Sequence, residues 1–258
     1  MGGRAKKSGR QSTADALRCT SGAVSLGMID PSLAGRLSFT HTTPSEPPLP
    51  AGRNELGIAQ ERDAVLYVPA TLAPDRPAPL VVLFHGGGGC AEKILPILEE
   101  QAELNRFLLL APQSIFPTWD LVIGGNGPDL ERLDQALAAV AAHYTLDPLH
   151  LAFAGFSDGG SYALSIGLTN GRFITHIIAL SAGFMSVMLQ EGAPRVFIAH
   201  GLADEQLPIA TSGRANASKL QQAGYDIRYV EFMGNHSVQP SIVGLAVDFF
   251  LSEPAVQT

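Results

Sequence analysis

The sequence predicts an α/β domain: a mainly parallel sheet flanked by helices on both faces. Three observations lead there. Hydrophobic residues make up 46% of the 258-residue chain and charged residues 16%, the composition of a globular protein rather than a disordered one. From about residue 63, short apolar runs alternate with longer helical patterns, the signature of strand–helix–strand crossovers. Several runs are apolar at consecutive positions, as expected of strands covered on both faces. One large domain of this length buries roughly 70–75% of its unfolded surface and needs no disulfide or metal staple.

The strand candidates are 64–68, closed by Pro69; 80–84, bounded by prolines and glycines; then 107–111, 151–154, 176–180, 195–199 and 227–230. Between them, Leu130, Leu133, Leu137, Val140 and Tyr144 form one apolar stripe at helical spacing. Pro128 stands near the start of that helix, where a missing N–H costs little, and Pro148 lies beyond its end. Segments 91–105, 158–169, 213–223 and 240–251 read as further helices, and the proline-rich stretch 43–53 as an irregular connection. Residues 1–37 read as a basic, disordered extension and 38–258 as the domain proper, with Met28 an alternative natural start.

Charge narrows the partners. Lys and Arg number 17 against 24 Asp and Glu, a formal net charge of −7. Five basic residues in 1–18 face only Asp15, so the remainder carries −11, a sign that repels nucleic-acid phosphates. No apolar run approaches the roughly 20 residues of a membrane span, and no 7–15-residue apolar stretch follows the basic start as in a secretory signal. Two cysteines, Cys19 and Cys90, make no disulfide framework and fit a reduced, cytoplasmic setting. There is no H-E-x-x-H, C-x-x-C or EF-hand loop, so neither metal nor cofactor is expected. The partner is a small-molecule substrate.

In parallel sheets ligands gather at the carboxyl ends of strands, which directs attention to the residues after each apolar run. Gly155-Phe156-Ser157-Asp158-Gly159 follows run 151–154 and precedes a helix. This is G-x-S-x-G in strand–turn–helix context, which makes Ser157 the candidate nucleophile. A serine hydroxyl needs a base to take its proton and a carboxylate to orient that base. With the chain order serine, acid, histidine, His236 is the one histidine with the right order and a strand-end loop, in Gly234-Asn235-His236-Ser237. Asp204 and Glu205 follow run 195–199, and Asp204 is preferred because its shorter side chain holds an imidazole more tightly. His85-Gly86-Gly87-Gly88-Gly89 after run 80–84 suits an oxyanion loop, since bare glycines let a tetrahedral oxygen approach backbone N–H groups. The N–H groups of Gly87 (or Gly88) and Asp158 are the expected donors, with His85 bracing the loop. The loop completes neither a P-loop nor a dinucleotide fingerprint. Trp119, the only tryptophan, is placed equally at a substrate pocket wall or in ordinary packing.

Assembled, His85-Gly86, Gly155-Phe156-Ser157-Asp158-Gly159-Gly160, His200-Gly201-Leu202-Ala203-Asp204 with Leu207-Pro208, and Gly234-Asn235-His236 resemble the α/β-hydrolases, in particular the phospholipase/carboxylesterase branch that includes acyl-protein thioesterase-like enzymes. The resemblance spans about residues 63–251. It implies Ser157, Asp204 and His236 as a triad, Gly87 and Asp158 as oxyanion donors, and hydrolysis of carboxylic esters. Four glycines after His85 depart from the usual thioesterase pattern, and polyester or feruloyl esterases share much of the remainder. A catalytically inactive ligand-binding module is the reading from another class. Only residues 181–194 separate two adjacent strands where a lid would insert, too few for a cap domain. An open site for small or exposed esters is expected.

Overall fold

The computed structural model describes residues 1–2, 35–73 and 76–252. The extension expected over 1–37 therefore lies mostly outside the described residues, as does Cys19. Where the description resumes, Leu37 is buried and its N–H donates to Asn170 at 2.9 Å.

Eight strands form one sheet: β1 (Gly52–Glu55), β2 (Val65–Val68), β3 (Ala78–Phe84), β4 (Leu108–Ala111), β5 (Leu146–Phe156), β6 (His176–Leu180), β7 (Arg195–Gly201) and β8 (Ile227–Phe232). Their spatial order is β1-β2-β4-β3-β5-β6-β7-β8. β1, β2 and β4 meet antiparallel, and every other pairing is parallel. The consecutive apolar runs have a direct cause, because alternate residues enter opposite cores. In β3, Leu80, Val82 and Phe84 face one cluster while Val81 and Leu83 face the other. In β7, Val196 and Ile198 part from Phe197 and Ala199 in the same way. All nine are at most 1% exposed, and each larger side chain contributes about 1.5–3 kcal/mol by leaving water.

The first core is covered by α4 (Pro128–His143), α5 (Asp158–Thr169) and α6 (Gly213–Gln222). The second is covered by α1 (Ala91–Ile94), α2 (Glu99–Asn105) and α7 (Pro240–Leu251). The stripe Leu130, Leu133, Leu137 and Val140 is the buried face of α4. The single helix expected over 91–105 is instead broken by a 3₁₀ turn, Leu95–Ile97. Pro96 cannot donate its backbone bond and crowds the preceding turn.

Two elements have no counterpart in the sequence reading. β1 starts at Gly52, inside the stretch expected to be irregular. Its residues Gly-Arg-Asn-Glu carry no apolar signal, and its strandedness comes from pairing with β2 at the sheet edge. α3 (Asp120–Ile123) is a single turn in the loop after β4. Between β6 and β7, residues 181–194 carry no helix. The segment is instead pinned along α5: the N–H of Gly183 donates to Ser161 Oγ at 3.0 Å and that of Ser186 to Ser165 Oγ at 2.9 Å. Among the described residues there is no large cap.

Candidate active site

Four of the parallel strands end where the candidate residues begin, so the sheet itself delivers them to one edge. Ser157 occupies the turn between β5 and α5 with φ 57° and ψ −121°. Such a conformation, costly for a side chain with a Cβ by about 1–3 kcal/mol, persists only where neighbours enforce it. The flanking glycines show how tight that enclosure is. A Cβ on Gly155 would come within 2.2 Å of the Gly159 carbonyl oxygen, and one on Gly159 within 2.1 Å of Phe84 O. Strand, elbow and helix can meet only because both positions are bare.

Ser157 Oγ lies 2.9 Å from His236 Nε2, and His236 Nδ1 lies 2.7 Å from Asp204 Oδ2. Three residues separated by 47 and 32 positions in the chain thus form one hydrogen-bonded line. Nδ1–H donates to the carboxylate, which leaves Nε2 as the acceptor of the serine hydroxyl. Phe156 packs against the imidazole with ring centroids 4.8 Å apart. The loops bearing acid and base are joined as well. Ala203 N–H donates to Gly234 O at 2.9 Å, and a Cβ on Gly201 would strike Asn235 O at 2.4 Å.

Asp204 is buried, and all its neighbours favour the carboxylate. Burial alone would push its carboxyl up. The Leu207 N–H, the His236 bond and the nearby imidazoles outweigh that and hold it below the usual value. Oδ1 accepts N–H groups of Gln206 at 3.0 Å and Leu207 at 2.8 Å. Glu205, its neighbour, is exposed.

His200, which precedes the candidate acid by four residues, is fully buried beneath it. Its Nε2 lies 2.8 Å from Leu207 O and 3.1 Å from Asp204 Oδ2, so it grips both the loop and the carboxylate. Its position at the end of β7, four residues before Asp204, was the available signal.

The glycine loop is held from behind. His85 Nδ1 donates to Gly86 O at 2.8 Å, while Nε2 accepts from Gln113 Nε2 at 2.9 Å. Burial lowers the His85 pKa, with the Arg62 charge acting the same way against the Gly86 bond. Gly88 N–H donates to Pro117 O at 2.7 Å. Trp119 is 1% exposed, stacks on Tyr162 at 4.7 Å and donates Nε1–H to His85 O at 2.8 Å. Of its two expected placements it takes the packed one. Asp158 accepts the Thr118 hydroxyl at 2.6 Å, tying the loop after β4 to the elbow. Among the described residues, the N–H groups of Gly87 and Asp158 have no protein acceptor, and Gly86 sits so near that a Cβ there would lie 3.3 Å from Ser157 Cβ. Two donors beside a serine can meet a developing oxyanion. Among the described residues, no three His, Cys, Asp or Glu side chains group as metal ligands.

Comparison with solved structures decides the fold. The chain is 21% identical to a phospholipase/carboxylesterase from Dyadobacter fermentans DSM 18053, with a TM-score of 0.55 over 79% of this chain and 99% of that one. It has the α/β-hydrolase fold. The esterase PE8 superposes with a TM-score of 0.56 at 23% identity, over 71% of this chain and 97% of that one. FphF, a fluorophosphonate-binding serine hydrolase of Staphylococcus aureus, superposes at 0.60 and 13% identity, over 74% and 93%. No protein-family model and no curated protein matches the chain.

Proposed function

We propose that this α/β-hydrolase-fold protein is a serine carboxylic-ester hydrolase acting through an acyl-enzyme on small or exposed esters. The observation that carries the reading is the unbroken line from Ser157 Oγ through His236 to Asp204, with links of 2.9 and 2.7 Å. Likeness to esterases and serine hydrolases supports it.

In this mechanism Ser157 Oγ attacks the ester carbonyl carbon while His236 Nε2 takes its proton. Asp204 stabilises the imidazolium, and the Gly87 and Asp158 N–H groups bind the oxyanion. Collapse breaks the bond to the leaving oxygen, which His236 protonates as alcohol. Water then loses a proton to His236 and attacks the acyl-serine, and as the acid leaves His236 returns that proton to Ser157 Oγ. The strained elbow holds Oγ where it needs no reorientation.

The test is covalent labelling. A fluorophosphonate probe should label the wild-type chain and not Ser157→Ala, and p-nitrophenyl acetate turnover should fall about 10⁶-fold in that variant. Folded wild-type protein that neither labels nor turns over the ester would leave a binding module instead.

A further inference from the structure

The connection between β1 and β2 delivers one side chain to the catalytic edge. β2 runs antiparallel to β4, with Val65 beside Ala111, so the loop before Val65 stands where β4 ends. Asp63 closes that loop on itself, accepting the N–H groups of Ile58 at 2.9 Å and Ala64 at 2.8 Å. Arg62, just before it, has φ 55°, a left-handed conformation uncommon for a residue with a Cβ. Backbone outliers of this kind persist where surrounding contacts enforce them, and they cluster at functional sites.

The Arg62 side chain reaches across to the segment after β4. Its Nε–H donates to Ser114 O at 2.9 Å, and Nη2 donates to Phe116 O and to Ser114 Oγ, each at 3.3 Å. Gly89 O, in the glycine loop, lies 3.5 Å from the same Nη2. Among the described residues Arg62 forms no salt bridge. Its planar fork meets the oxygens of a loop instead, a spread that the compact ammonium of a lysine does not match. Ser114 is fully buried, so water cannot replace the guanidinium at its carbonyl without cost.

What Arg62 grips is the segment that in turn holds both proposed oxyanion donors. Residues 112–119 form neither helix nor strand, so individual bonds set their path. Pro117 O takes the N–H of Gly88 at 2.7 Å, which fixes the residue next to Gly87. Thr118 Oγ1 donates to Asp158 Oδ2 at 2.6 Å, on the residue that supplies the other N–H. Ser114 N–H faces His85 Nε2 at 3.3 Å, behind the same loop. We infer that Arg62 is a positioning residue for the oxyanion hole: by gripping residues 114 and 116 it sets the Gly87 and Asp158 N–H groups against Ser157. It acts through Pro117 and Thr118, not on the substrate. The inference rests on the proposed hydrolysis, which is what gives those two N–H groups an oxyanion to bind. Misplacing such a group by about 1 Å costs on the order of 10²-fold in rate.

The experiment compares wild type, Arg62→Ala, Arg62→Lys and Arg53→Ala by p-nitrophenyl acetate kinetics and by amide hydrogen exchange. Arg53 on β1 bonds Glu99 of α2 and Glu92 of α1, and its variant controls for the loss of an arginine outside the site. Arg62→Ala should lower kcat by about 10–100-fold with KM little changed. Arg62→Lys keeps the charge without the fork and should recover little of that loss, whereas added methylguanidinium should restore part of it to Arg62→Ala. Exchange in peptides covering 86–90 and 112–119 should quicken in Arg62→Ala and stay at the wild-type rate in Arg53→Ala. Full kcat in Arg62→Ala, full recovery by lysine, a rise in KM alone, or unaltered exchange in those peptides would each overturn the inference. The exchange readout needs no turnover, so the two readings separate. An inactive wild type whose glycine loop loosens in Arg62→Ala removes the hydrolysis and keeps the clamp. An active wild type that Arg62→Ala matches in both measurements removes the clamp alone.

Discussion

Gly87 and Asp158 face each other so closely that a Cβ on residue 87 would stand 2.7 Å from Asp158 Oδ2. That oxygen is not free to swing away, because it accepts the Thr118 hydroxyl. Gly87→Ala should therefore displace either the glycine loop or the carboxylate, lowering kcat by about 10²-fold, the scale of one lost oxyanion donor. Asp158→Ala, which empties the space, should restore part of the loss when combined with Gly87→Ala. Steady-state kinetics of the double-mutant cycle gives the coupling, and strict additivity would refute the steric account.

At the acid, Oδ2 of Asp204 meets both His236 Nδ1 and His200 Nε2, while Oδ1 takes two backbone N–H groups. Asparagine offers one acceptor oxygen to those four donors. Asp204→Asn should lower kcat by about 10⁴-fold, whereas Glu205→Ala should leave most activity. Equal losses in ester assays would disprove the assignment of the acid.

His200 makes a subtler prediction. Its removal leaves Leu207 O and the acid loop without their buried donor. We expect His200→Ala to reduce thermal stability, at a cost of about 1–3 kcal/mol. It should also lower kcat more than it raises KM, since the side chains of both His200 and Asp204 are sealed from solvent. Unchanged kcat in folded protein would restrict His200 to a packing role.

Away from the site, His176 is held near pKa 4, chiefly by burial, with the charge of Arg195 and the neighbouring His150 acting in the same direction. Its Nε2 faces Arg195 Nη1 at 3.4 Å, which suits a neutral ring. Because the folded value lies below the ordinary 6.5, the unfolded chain binds this proton first. The resulting stability is present above pH 6.5 and is lost as pH falls towards 4, on the order of 3 kcal/mol. Urea midpoints measured across that window should fall less steeply for His176→Gln. Parallel slopes would contradict the shift.

The uncapped edge bears on chain length. With 181–194 fastened to α5 through Ser161 and Ser165, we expect this segment to leave the acyl site open. Rates on dissolved p-nitrophenyl esters should be highest for short acyl chains. A steady rise towards long chains would refute the open site.

The strands were legible because burial on both faces leaves uninterrupted apolar runs. Leu80 to Phe84 and Val196 to Ala199 are examples, each feeding two cores at once. β1 was hidden for the opposite reason. Gly52–Glu55 buries little, and only β2 makes it a strand. β5 runs from Leu146, earlier than the apolar run at 151, because parallel pairing with Ala78 extends it through Pro148 and across an irregular register. At the site, the G-x-S-x-G turn and the order of serine, acid and histidine could be read because backbone sterics and chain order are written locally. The grip of His200 on Asp204 and of Asp158 on Thr118 could not.

By itself, then, the chain's pattern of apolar runs, prolines and glycines determined the layer architecture and placed Ser157, Asp204 and His236 each just past a strand, since these depend on neighbours a few residues away. Only the tertiary structure decided that their side chains meet at hydrogen-bond distance and that Trp119 is sealed in packing. Distances across loops and exposure of a side chain depend on how distant segments pack, and no local run of residues encodes them.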